Sequence, residues 1–428
     1  MQKIKLFSLL IITLLAGCGG SEKSSESISS SSENENFRIK AMRYNKCDVT
    51  EPFANANVFF HNSNGDVVAN HTTNDDGVVE ITLPNNAKHF SIVEREDANE
   101  EVSAFSEIVT VLDVGNVDHG DFYFYDSSDC NCTNTTLNFD NLTSVYGDDY
   151  FVRTNFSTYN SARSSFTACK ESGPIDMILF NKVTGDVRSA LITITDETHI
   201  DVSEEMFDGQ ATLIEFPNVS SGYTKQVSGF IDNRWRIGFT NYTFDNDPLY
   251  SFQDHAGKSR ASIYNRVDYN ENGVDISLLT LASQSIPENG VLGEFELLEF
   301  DANFLSSLQD VSNSFNNSSS VKYDFRAVSD KLDTVNIDLS FYNPDDELVA
   351  WRISGPPNTE IPNLRFDNEL SLDSIHAGFR LRIRLNAFQF DGSYRDFWRA
   401  SAARQNVSKV VGATDDFLNL SQLRIDVN

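Results

Sequence analysis

From Phe37 onward the chain is written in short runs of alternating apolar and polar residues, separated by clusters of Asn, Asp, Gly and Ser. A two-residue period broken by turn clusters at about 8- to 12-residue spacing predicts half-buried strands and an all-β architecture. Ala56-Asn57-Val58-Phe59-Phe60 predicts a strand that Asn62-Ser63-Asn64-Gly65-Asp66 turns into Val67-Val68-Ala69. Thr73-Asn74-Asp75-Asp76-Gly77 then turns the chain into Val78 to Pro84. Both turns end on residues that tolerate positive φ. Further strands are predicted at Tyr150-Phe151-Val152, at Ala190 to Ile194 and at Trp235 to Phe239. Toward the C-terminus the alternation is most regular. Val335, Ile337, Leu339 and Phe341 interleave with Asn336, Asp338 and Ser340, and Phe379, Leu381, Ile383 and Leu385 interleave with Arg380, Arg382 and Arg384. Phe304 to Val321 breaks the pattern, opening like a helical turn and closing as a Ser/Asn linker.

A chain of 428 residues exceeds one ordinary domain. The strand pattern divides it into three or four immunoglobulin-like β-sandwich units in series: 37–128, 129–217, 218–304 and 322–428, with 305–321 as a linker. Ile178 to Val187 echoes Val58 to Val67 at an offset of 120 residues, as a repeated sandwich or a commonplace hairpin would.

The N-terminus is of another kind. Lys3 and Lys5 precede Leu6 to Leu15, a stretch whose helix would be about 15 Å long, half a bilayer core. That is the h-region of an export signal rather than a span. It closes in Leu15-Ala16-Gly17-Cys18, which resembles the lipobox of bacterial lipoproteins. The resemblance implies a signal peptide over 1–17, a Cys18 that carries covalent lipid on its thiol and amine, and anchoring to a membrane through the acyl chains alone. Gly19, in place of an Asp, implies the outer membrane. The Ser-, Glu- and Asn-rich residues that follow, to 36, read as a flexible tether of about 25 Å mean end-to-end length.

Asp and Glu number 63 against 33 Lys and Arg, a net charge of −30 that becomes −32 without the signal. Such a balance argues against nucleic acid, whose phosphates call for a basic footprint, and against polybasic docking on anionic lipid. Apolar residues at 40% suffice for real cores, and 32 Phe and 14 Tyr against 4 Met favour strands over helices.

Setting Cys18 aside leaves Cys47, Cys130, Cys132 and Cys169, an even number in a chain with an export signal. Two disulfides follow, with three connectivities open. Cys130 and Cys132 sit too close to pair comfortably with each other. The favoured pairing is Cys47–Cys130 and Cys132–Cys169, closing the first and second units. A zinc site is the rival, but no His or further thiol stands at zinc spacing. Within the first unit, Pro52 to Pro84 (PFANANVFFHNSNGDVVANHTTNDDGVVEITLP) resembles the carboxypeptidase-regulatory-like β-sandwich. It shares that family's Pro-x-x-Asn-Ala-x-Val strand, Gly-Asp hairpin and Thr-x-x-x-Gly turn, and departs from it at Glu51 and Asn74. The resemblance implies a non-catalytic spacer or binding module.

Catalytic signatures are sparse. The seven histidines form no His-x-Glu, His-Glu-x-x-His or close pair, and exposed strand and turn positions are expected for them. The sequence contains no Gly-x-Ser-x-Gly elbow and no Walker loop. Ser319-Ser320-Val321-Lys322 spells Ser-x-x-Lys, but within a linker. Asp268, Asn270 and Asn272 set oxygens at alternate positions before Gly273, as a calcium loop begins, yet Leu279 stands where the bidentate Glu belongs. A hairpin turn is the default reading there and at Asn74 to Gly77. No cofactor other than the lipid is expected.

One basic patch stands out. Arg380, Arg382 and Arg384 share a strand face at about 7 Å spacing, and Arg395, Trp398, Arg399 and Arg404 follow closely. Guanidinium forks beside aromatic faces suit an acidic saccharide, a lipopolysaccharide phosphate or an acidic protein. The plainer reading pairs these arginines across the sheet with acids such as Asp338. The expectation is a non-enzymatic envelope lipoprotein whose β-sandwich modules bind or present a protein partner or glycan. The alternatives are a lipid-anchored polysaccharide hydrolase with carboxylates not yet nominated, and a subunit of a surface assembly.

Overall fold

In the computed structural model the two-residue period is realised as strands that use both of their faces. The structure describes residues 36–428 except 46, 48, 97–104, 127–129, 131, 155–157, 160–162, 171–172, 196–197, 232–233, 244–247, 272–273, 300–303, 305–307, 309–310, 316–319, 343–347, 367–378, 389, 408–418 and 428. The export signal, Cys18 and most of the tether lie outside the described residues. So do Asn272 and the side chain of Arg404.

The first stretch contributes β1 (Phe37–Tyr44), β2 (Thr50–Pro52), β3 (Asn57–His61), β4 (Val67–Thr72), β5 (Val78–Ile81), β6 (His89–Glu96), β7 (Phe105–Val111) and β8 (Asp118–Tyr125). The second contributes β9 (Cys132–Asn138), α1 (Asp140–Tyr146), β10 (Tyr150–Thr154), β11 (Thr158–Tyr159), β12 (Arg163–Cys169), β13 (Ile175–Asn181), β14 (Val187–Ile192), β15 (His199–Asp201) and β16 (Gly209–Gln210). Then come β17 (Thr212–Ile214), β18 (Thr224–Ile231), β19 (Arg234–Thr243), β20 (Leu249–Ser251) and the long hairpin β21 (Lys258–Glu271) and β22 (Val274–Ser285). The last stretch holds β23 (Val321–Asp324), β24 (Thr334–Tyr342), β25 (Leu348–Gly355), β26 (Asn358–Ile361), β27 (Arg380–Ala387), α2 (Tyr394–Val407) and β28 (Leu420–Val427).

The fold is all-β. Its backbone is a twelve-stranded sheet in the order β19-β18-β21-β22-β28-β27-β24-β25-β7-β6-β3-β4. Strands from the first, third and fourth stretches therefore lie edge to edge in one sheet. The seam between β25 and β7 is parallel, pairing Trp351 with Ile108 and Arg352 with Val109. Alternation along a strand sets its faces but not its neighbours, so this continuity has no signature in the sequence. The second stretch makes its own sandwich, β12-β9-β15 against β11-β10-β13-β14-β16, around Leu137, Phe139, Val152 and Met177. The echo between Val58 and Ile178 corresponds to two hairpins, β3–β4 and β13–β14. Asn62 and Asn181 both accept turn N–H groups on their side-chain oxygens, and Gly65 and Gly185 sit at φ of 89° and 72°.

On one face of the large sheet, Val58, Phe60, Phe90, Ile92, Val109 and Val111 pack against Phe37, Ile39, Val79, Phe122 and Phe124 of the small sheet that β1, β2, β5 and β8 form. On the other face, Phe59 and Ile108 join Trp351, Ile353, Ile337, Leu339, Ile383 and Ile425 in the largest core. Phe304, Leu308, Val311 and Phe315 are buried in that core at helical spacing. Within the segment expected as a linker, Leu308, Val311 and Phe315 therefore pack into the core, an apolar stripe hidden among Ser and Asn in the sequence.

A hydrogen-bond chain crosses four strands inside this core. Trp351 Nε1 donates to Thr110 Oγ1 at 2.9 Å, Thr110 Oγ1 lies 2.8 Å from Ser91 Oγ, and Ser91 Oγ lies 3.1 Å from His61 Nε2. His61 Nδ1 faces the Gly65 carbonyl at 3.3 Å and must donate to it. In the neutral ring that burial favours, Nε2 is then the acceptor that ends the chain. His61, His89 and His119 are buried, contrary to the exposed positions expected of them, because each falls on a core-facing position of its segment and finds local polar partners. Burial pushes all three imidazoles down to about 4.

A histidine whose folded pKa lies below its unfolded value contributes stability that is complete above about 6.5 and is lost as pH falls toward 4. Glu94, raised by burial to about 7, acts in the opposite sense, losing stability as pH rises from about 4.5 to 7. It does so equally in a His61→Gln variant and drops out of a comparison. Urea unfolding at pH 7 and pH 4.5 should therefore show the wild type losing on the order of 2 kcal/mol more than His61→Gln. An unchanged gap would mean that His61 does not titrate in this way.

Candidate functional site

The charged face begins where the small sheet stops. Val109 belongs to the apolar interior of the first sandwich, while its cross-strand partner Arg352, on the same face, looks into an open cavity of about 920 Å³. The floor is the outer face of β24, β25, β27 and β28. One wall is β8 with Asp121, Phe122 and Tyr123, and the other is α2 with Phe397, Trp398 and Ser401.

The strand period builds the floor. With Leu381, Ile383 and Leu385 sunk in the core, Arg380, Arg382 and Arg384 must face outward, and all three line the cavity. Sequence reasoning missed Arg352, Arg424 and Arg266, which join them. The same signal was present for two of these. Arg352 sits between Trp351 and Ile353, and Arg424 between Leu423 and Ile425, all four apolar neighbours being buried.

Acids hold these arginines in place. Arg384 Nη2 donates to both carboxylate oxygens of Asp338, at 2.8 and 3.0 Å. Arg382 Nε donates to Asp426 at 2.6 Å, and Arg424 Nε to the other Asp426 oxygen at 2.9 Å. Arg352 bridges Glu107 at 3.1 Å and Asp338 at 3.9 Å. The cross-strand pairing with Asp338 read from the sequence is thus present, and the same arginines line the cavity. Burial raises the Glu107 carboxyl, against the pull of the Tyr125 N–H and Arg352, and burial likewise raises Asp121. Burial pushes Asp426 up as well, but its hydrogen bonds from Arg382 and Arg424 prevail and hold it below the ordinary range.

Two of the predicted residues turn elsewhere. Arg395 pairs with Asp113 at 3.3 Å and lies along Gly115, and Arg399 pairs with Asp396 at 2.7 Å. Neither lines the cavity. Tyr394 to Val407 is helical, and at 3.6 residues per turn Phe397, Trp398 and Ser401 share a stripe that excludes 395 and 399. Trp398 does line the cavity, its ring 6.0 Å from Phe122.

The other candidate groups are absorbed locally. Asp268 and Asn270 lie on β21 near its hairpin end, where Arg266 donates to Asp268 at 3.0 Å and Asn270 donates to Asp275 at 2.7 Å. Asn74 accepts the N–H groups of Asp76 and Val78, as a turn requires. Disulfides join Cys47 to Cys130 and Cys132 to Cys169, the favoured pairing, and Cys132 faces Cys169 directly across β9 and β12. Ser189, His255 and Asp208 form an array that the sequence did not suggest: Ser189 Oγ is 2.8 Å from His255 Nδ1, and His255 Nε2 is 3.0 Å from Asp208 Oδ1. In a hydrolytic triad the ring nitrogens take the opposite partners. Here the serine is fully buried beside Gly209, where a Cβ would come within 2.3 Å of its hydroxyl. The array ties β14 to the loop before β16.

Among the described residues, no helix is long and apolar enough to cross a membrane. No family model matches the chain, and no curated protein matches it either.

The Arg384–Asp338 pair is about two-thirds buried, which limits its worth to about 1 kcal/mol. Asp338→Asn should destabilise the protein by about that much in urea at low salt, with a smaller difference at 0.5 M NaCl, since salt screens the charges it leaves unbalanced.

Proposed function

We propose that the protein is a lipid-anchored, non-catalytic binding protein of the bacterial envelope that holds a glycan or protein partner in the arginine-floored cavity. The observation that carries this reading is the concentration of six arginines and two aromatic-bearing walls in one concavity of a chain with net charge −30. The anchor is Cys18, and the tether gives the β-rich body room to reach its partner. Gly19 supports the outer membrane as its site.

The floor carboxylates favour binding over hydrolysis. Both oxygens of Asp338 accept from Arg384, those of Asp426 from Arg382 and Arg424, and those of Glu107 from Arg352 and the Tyr125 N–H. A carboxylate saturated with donors is poorly placed to give up a proton or attack a sugar carbon. A second reading, hydrolysis, draws on one observation: Glu107 and Asp338 share Arg352, so two carboxylates face one cavity.

Incubation with immobilised acidic and neutral polysaccharides distinguishes the two. The binding reading expects the protein to be retained with no new reducing ends. Reducing ends released by the wild type and lost in Glu107→Gln would establish the hydrolase instead. For the anchor, cells fed labelled palmitate should label the wild-type chain and not Cys18→Ala. Label surviving that substitution would reject lipidation at Cys18.

A further inference from the structure

The cavity floor contains an arrangement that the ion pairs leave unresolved. Arg384 and Arg424 are direct cross-strand partners on β27 and β28, with like charges on one face. Side chains so opposed stand about 5 Å apart at Cβ, and like charges there are destabilising. Asp338 and Asp426 draw the two guanidinium groups, yet the Arg384 Nε–H remains buried with no acceptor among the described residues. Arg380 lies further along β27, exposed at the same cavity. Six arginines against Glu107, Asp121, Asp338 and Asp426 leave a surplus of two positive charges in the lining. A buried donor without an acceptor beside two like charges is a place for an anionic oxygen.

The remaining lining narrows the ligand. Tyr123, 39% exposed on β8, presents a ring to the same space. Thr334, Asn336, Ser340 and Ser401 add neutral groups that both donate and accept. A sugar ring asks for an apolar platform and for hydroxyl partners of both senses, whereas a bare phosphate asks for donors alone.

Resting on the binding reading above, we infer that the cavity is a site for an acidic oligosaccharide, with a uronate carboxylate between Arg384 and Arg424 and a neighbouring sugar ring against Tyr123. The volume, near the upper end of ligand pockets, accommodates several sugar units.

Calorimetry on the lipidated full chain in detergent tests this with three probes: tetragalacturonate, its carboxyl-reduced neutral counterpart, and glycerol 3-phosphate. The acidic tetrasaccharide should bind at least tenfold more tightly than either other probe. Arg384→Gln and Arg424→Gln should each weaken it tenfold or more, and Tyr123→Ala several-fold. Arg380→Gln removes an exposed side chain that makes no ion pair among the described residues, so it tests the site even if the floor variants misfold, and about a threefold loss is expected. Equal binding of the neutral tetrasaccharide would overturn the uronate site while leaving a glycan-binding cavity. Glycerol 3-phosphate binding as tightly as the tetrasaccharide would overturn it in favour of a plain phosphate site. Failure of all three probes would overturn it outright, and retention on the immobilised polysaccharides would then decide the broader reading separately.

Discussion

The arginine floor depends on the filling of the opposite face. Ile337, Leu339, Trp351, Ile353, Ile383, Leu385, Leu423 and Ile425 occupy the largest core, and none can leave it without opening a cavity worth several kcal/mol. Because successive side chains on a strand point oppositely, that core holds Asp338, Arg352, Arg382, Arg384 and Arg424 outward. A one-residue slip of any of these strands would bury guanidinium groups and expose leucines, so the charged surface is fixed in register by apolar packing beneath it. The ion pairs trim the positions of side chains whose direction the core has already decided.

That ordering explains what could be read from the sequence. The alternation at 335–341 and 379–385 gave the faces and even an ion-pair partner, because the period of a strand is local. Cys132 and Cys169 were legible for a similar reason, there being few ways to join four thiols. Partners distant in sequence were not. Nothing in Phe105 to Val111 indicates that it lies beside Leu348 to Gly355, so the arginines of β25 and β28 were not gathered with those of β27. The helix at Tyr394 was a further obstacle, since reading 394–404 as a simple continuation of the patch put Arg395 and Arg399 in the wrong place. His61 was misjudged because its polarity suggested solvent, whereas a single ordered run of hydroxyls and an indole satisfies it inside the core.

The electrostatics are layered. A chain at −30 repels polyanions within about a Debye length of its surface, and the cavity reverses the sign only locally. The acids on the floor serve the arginines as spacers, fixing the angle at which each fork is offered. An approaching anion therefore meets guanidinium groups already oriented, and little side-chain entropy is left to lose.

The parallel seam also bears on how such a chain acquires its shape. β7 is made some 240 residues before β25, and the Trp351–Thr110 bond spans 241 positions. Until β25 emerges, one margin of β7 has unsatisfied amides and carbonyls and a bare row of Ile108 and Thr110, a margin prone to adhere to other chains. Assembly by such remote pairing is slow, because the intervening loop must close before any contact rewards it. A chain interrupted between residues 130 and 348 would keep its first sandwich yet carry that sticky border permanently, and such truncation products are thus expected to aggregate through β7.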